Sequence, residues 1–117
     1  GLSHRVELVA IDANPIYRSP SVLQAFDRDE SLAQLPNWLY LTGTLAQLRS
    51  VWNTFSVDVS VLPAGAMISH ADGAAVLDAT GRIRWVMNAD PGPATTSTKS
   101  SFAVTLADAA RSVLKDA

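Results

Sequence analysis

The run from Val6 to Ile11 is apolar at nearly every position and stops at Asp12-Ala13-Asn14-Pro15. This pattern predicts a strand buried on both faces and ended by a turn, and double-sided burial implies a parallel α/β sheet. Ser19-Pro20 offers an N-cap followed by proline at the first helical position, and Val22, Leu23 and Phe26 then share one face, predicting a helix through about Arg28. Residues 29–34 either extend that helix or add another turn before Pro36. Trp38-Leu39-Tyr40-Leu41-Thr42 is rich in strand formers, and Thr44 with Gln47 forms a capping box for the next helix. Leu45, Leu48, Val51, Trp52 and Phe55 recur along that helix at spacings of three and four, so Trp52 and Phe55 read as core and not as a ligand-binding aromatic pair.

From Ser56 to Ser69 the pattern loosens. Val57, Val59 and Val61 alternate with Asp58 and Ser60 before Pro63-Ala64-Gly65 breaks the run, which predicts a short irregular strand or an insertion. Ala74 to Asp78 and Arg82 to Asn88 flank Asp78-Ala79-Thr80-Gly81, a hairpin with Gly81 suited to a positive φ. Asp90-Pro91-Gly92-Pro93 and the Thr/Ser run after it read as a loop. A last helix is predicted from about Thr98 to Lys115, with Phe102, Leu106, Ala109, Ala110, Val113 and Leu114 facing inward and Arg111 and Lys115 suiting the dipole at its end. The order strand, helix, strand, helix, hairpin, helix is that of a thioredoxin-like three-layer α/β fold with a mixed sheet, although other mixed sheets share it.

At 117 residues the chain is expected to be a single domain, residues 1–117. Hydrophobic residues at 48% against charged residues at 17% mark a core-rich chain, not a disordered one. A net charge of −2, with no interleaving of aromatics and Lys or Arg, leaves no electrostatic footprint for nucleic acid. No apolar run reaches the roughly 18–20 residues that span a bilayer, and no signal-peptide core follows Arg5, so a soluble chain without a targeting segment is expected. The absence of cysteine excludes a disulfide, a thiolate zinc site and dithiol redox chemistry carried by this chain itself.

Few residues remain to carry chemistry. His70 stands just before the hairpin, and Asp72 is placed either to orient its imidazole or to lie in solvent. A hydrolase built on His70 with Ser69, Asp72 or Asp78 is disfavoured, because a serine next to the histidine in sequence does not readily reach its ring nitrogen and no Gly-x-Ser-x-Gly is present. His4 lies at a terminus and is assigned no role. Asp27, Asp29 and Glu30 read as a solvated helix end, since hard-ion sites need convergent oxygens at loop spacing.

Three blocks, taken together, resemble the Sco/SenC family, thioredoxin-fold copper chaperones that assist assembly of the dinuclear copper site of cytochrome c oxidase. They are Val6 to Asp12 with Asn14-Pro15 and Ser19-Pro20; Trp38-Leu39-Tyr40-Leu41-Thr42-Gly43-Thr44-Leu45 with Leu48; and Ile68-Ser69-His70 leading into Val76-Leu77-Asp78-Ala79-Thr80-Gly81-Arg82. The resemblance spans Val6 to Leu114 and implies that His70 is the metal-ligating histidine. It also implies copper as the ligand of the full-length parent, a cytochrome c oxidase subunit as partner, and the extracytoplasmic face of the cell membrane as location.

Two departures accompany it. The family's Cys-x-x-x-Cys pair lies on a strand and helix upstream of the strand at Val6 to Ile11, so the domain is expected to be partial, truncated at its N-terminus, and inactive as this chain. Two thiolates and one imidazole suit Cu(I), whereas one imidazole alone is a feeble site. The family's Asp-Pro is here Asn14-Pro15, and the acidic residue that follows it has no clear match. Without the upstream strand, which is central in such sheets, the chain is expected to be unstable, to pair with a second copy, or to bring the flanking strands together. The alternative is a cysteine-less thioredoxin-like binding module that dimerises or docks a partner through an exposed sheet edge.

Overall fold

The computed structural model describes residues 1–61, 68–70, 72–88 and 96–117. The chain is α/β and forms two compact units, Gly1–His70 and Ala71–Ala117. In the described residues the strands join as three two-stranded ladders, not as one mixed sheet.

After a 3-10 turn at Leu2–His4, the first unit runs β1 (Leu8–Ile11), α1 (Pro20–Asp29), β2 (Trp38–Leu41) and α2 (Leu45–Thr54), then β3 (Val59–Val61) and β4 (Ile68–His70). β1 and β2 pair in parallel, as expected, in register from Leu8 with Trp38 to Ile11 with Leu41. The expectation that β1 is buried on both faces is overturned. Among the described residues of the first unit β1 bonds to β2 alone, and Val9 and Leu39, neighbours on one face, are 49% and 43% exposed. An apolar run records a tendency towards burial, but it does not supply the neighbour that would cover it.

α1 begins at Pro20, whose fixed φ suits the first turn. Ser19 occupies the N-cap position, but its hydroxyl lies 3.1 Å from that of Ser21 and caps no backbone N–H. The helix does not extend through residue 34. Ser31 takes a left-handed φ of 59°, its N–H donates to the Arg28 carbonyl, and the N–H of Leu32 donates to that of Asp27. This bond pair is a Schellman closure with serine where glycine is usual. α2 ends identically: Ser56 has φ 56°, its N–H donates to the Asn53 carbonyl, and that of Val57 donates to the Trp52 carbonyl. The start of α2 is the capping box the sequence predicts, with the Thr44 hydroxyl accepting from the Gln47 N–H and the Gln47 amide oxygen accepting from the Thr44 N–H.

Leu23, Leu48 and Trp52 form the buried core of this unit. Phe55, expected in the same stripe, is instead 37% exposed, because it is the C-cap residue at which the α-helix has already ended. Where the sequence predicts a short irregular strand or an insertion, the structure has an antiparallel ladder, β3 with β4, in which Val59 faces His70 and Val61 faces Ile68. The Pro63-Ala64-Gly65 break lies outside the described residues.

The second unit holds β5 (Gly73–Leu77), β6 (Ile83–Asn88) and α3 (Thr96–Lys115). β5 and β6 form the predicted hairpin, with a register irregularity at Val76/Leu77 and Gly81 at φ 81°. α3 packs on both strands, with Ala109 and Val113 buried and Phe102, Leu106, Ala110 and Leu114 half-buried, as the spacing predicts. The Asp90-Pro91-Gly92-Pro93 loop lies outside the described residues.

Candidate functional site

His70 is the last residue of β4, opposite Val59 in the ladder, and is exposed. It closes the first unit, and Asp72, also exposed, belongs to the second. Asp78 is committed to the hairpin turn: its Oδ1 accepts from the Thr80 N–H at 2.9 Å, the Thr80 hydroxyl at 2.6 Å and the Arg82 N–H at 3.1 Å. That role is structural, not that of a third member of a hydrolytic triad.

Among the described residues, no three His, Cys, Asp or Glu side chains come together as metal ligands. The chain's own donors do not make up a copper site of the Sco/SenC kind, because they offer the imidazole of His70 and no thiolate. Asp27, read as solvated, accepts a 2.9 Å hydrogen bond from the Trp38 indole on its Oδ1. His4 borders an open depression of about 310 Å³ with Ser3, Arg5, Val6, Glu7, Pro36 and Asn37.

The densest polar arrangement is one the sequence did not single out. At the C-terminal end of β1 the Asp12 carboxylate is 2% exposed. Its Oδ1 accepts from the Asn14 N–H at 2.9 Å, and the Thr42 hydroxyl lies 3.3 Å from its Oδ2. The Asp12 backbone carbonyl accepts from the Trp52 indole at 2.9 Å. Asn14 then continues the turn, its Oδ1 accepting from the N–H groups of Ile16 and Tyr17, both at 2.9 Å. The amide oxygen thus performs the backbone-gathering job that a carboxylate in the same place would perform, so Asn14 for Asp costs the loop no hydrogen bond.

Arg18 ties the loop to the end of β2. Its Nε donates to the Pro15 carbonyl at 2.9 Å and its guanidinium reaches the Gly43 carbonyl at 3.4 Å, while the Thr42 hydroxyl donates to the Arg18 carbonyl at 2.8 Å. Burial raises the Tyr40 hydroxyl pKa above its usual value, with the negative charges of Asp12 and Asp27 adding to the effect. These bonds tie the ends of β1 and β2 to the loop between β1 and α1 and satisfy its backbone groups.

No protein-family model, curated protein or solved structure matches this chain. Among the described residues no helix is long and apolar enough to cross a membrane.

Proposed function

We propose that this chain is the C-terminal portion of a Sco/SenC-like, thioredoxin-type copper-chaperone domain, acting in assembly of the copper site of a respiratory oxidase on the extracytoplasmic face of the cell membrane. In the longer parent, His70 supplies the imidazole beside two thiolates from the Cys-x-x-x-Cys segment. The observation that carries this is that, among the described residues of the first unit, β1 is hydrogen-bonded on one side, with Val9, Leu39 and Leu41 exposed beside it. An open edge beside an apolar face is what a thioredoxin-type layer presents when its central strand, and the helix that follows it over one face, are not supplied. The copper chemistry itself rests on the sequence resemblance and on the place of His70 directly ahead of the hairpin.

The test is a Cu(I) titration against a competing chelator, on this chain and on the polypeptide encoded by the same reading frame extended upstream of Leu2. The chain alone is expected to take up no tight stoichiometric copper. The extended polypeptide is expected to carry a Cys-x-x-x-Cys pair and bind one Cu(I), with His70→Ala weakening the binding at least about tenfold, since a lost metal ligand costs more than a lost outer-shell partner. Tight uptake by the chain alone, an extension without the thiol pair, or an unchanged affinity in His70→Ala would each overturn the proposal.

The same open edge of β1 also favours the cysteine-less module that dimerises or docks a partner strand. A ribosome-binding site immediately upstream of Leu2 selects that reading.

A further inference from the structure

We draw no further inference here: the strongest candidate, the apolar face of the β1–β2 ladder that carries Val9, Ile11, Leu39 and Leu41 beside the open edge of β1, carries nothing beyond the proposal above because nothing in the structure shows what covers it.

Discussion

The indole Nε1 of Trp52, buried on α2, donates a 2.9 Å hydrogen bond to the backbone carbonyl of Asp12 at the end of β1. A single side chain therefore fills the core and fastens a helix to the terminus of a strand that is 40 positions away. Trp52→Phe keeps most of the apolar volume and removes the donor, leaving the carbonyl unpaired in a buried place. The expected loss is about 1–3 kcal/mol, read as a lower urea midpoint. An unchanged midpoint would show that this bond holds nothing.

Thr42 has one hydroxyl hydrogen and two acceptors within reach, the Arg18 carbonyl at 2.8 Å and the Asp12 carboxylate at 3.3 Å. The shorter contact takes the proton, so the Asp12 oxygen gains little from Thr42. Asp12→Asn therefore retains the acceptor for the Asn14 N–H and gives Thr42 a donor to accept from. It is expected to cost less than about 1 kcal/mol, whereas Asp12→Ala costs about 1–3 kcal/mol by orphaning the Asn14 N–H. Equal losses in the two variants, measured by denaturation, would contradict this division of labour.

Acid should loosen the β5–β6 hairpin. The Asp78 carboxyl is lowered from 3.8 to about 2, first by the Thr80 hydroxyl, against which desolvation pushes upward, and then by the N–H groups of Arg82 and Thr80 and the guanidinium of Arg84. A depressed carboxyl pKa contributes stability that is complete above the unfolded value and lost as pH falls through the folded one, so the window lies between about pH 4 and about pH 2. Protection factors of the Gly81 and Arg82 amides, taken relative to intrinsic exchange at each pH, are expected to fall across that window. Asp78→Asn, which keeps the accepting oxygen but cannot titrate there, is expected to flatten the profile; a variant with the wild-type profile would exclude Asp78 as its source.

Both helices of the first unit close on serine in the left-handed region, Ser31 at φ 59° and Ser56 at φ 56°. A Cβ there costs about 1–2 kcal/mol, part of which glycine returns through its greater freedom in the unfolded chain. Ser31→Gly and Ser56→Gly are each expected to stabilise the protein by about 0.5–1 kcal/mol and to raise Tm. A fall in Tm for both would mean that the serine side chains do something the backbone geometry does not reveal.

Helix positions are legible in the sequence, including the stop of α1 near Arg28 and that of α3 at Lys115, but the geometry that closes α1 and α2 is not. Pro20 and the Thr44–Gln47 box are local signals, and α1 and α2 begin where they indicate. Those closures depend on serine in a conformation that glycine usually marks, so the sequence leaves residues 29–34 open and its apolar spacing puts Phe55 in the core. The hairpin was legible because Asp78 and Gly81 satisfy the turn within a few residues. The Asp12 cluster is not legible in the sequence because its partners Thr42 and Trp52 are 30 and 40 positions away, and only the fold brings them together. For His70 the sequence indicated a position before the hairpin; its place at the end of an antiparallel ladder followed from the pairing of Val59, which no local motif announces.

The two kinds of ladder also imply an order of events during folding. The β5–β6 hairpin closes across five residues, 78–82, so it needs little loop-closure entropy and can form within microseconds. The β1–β2 ladder must wait until a whole helix has been threaded between its strands, and nascent chains will expose Leu8 and Val9 throughout that delay. The amino-terminal strand therefore spends longer without its partner than either strand of the hairpin does.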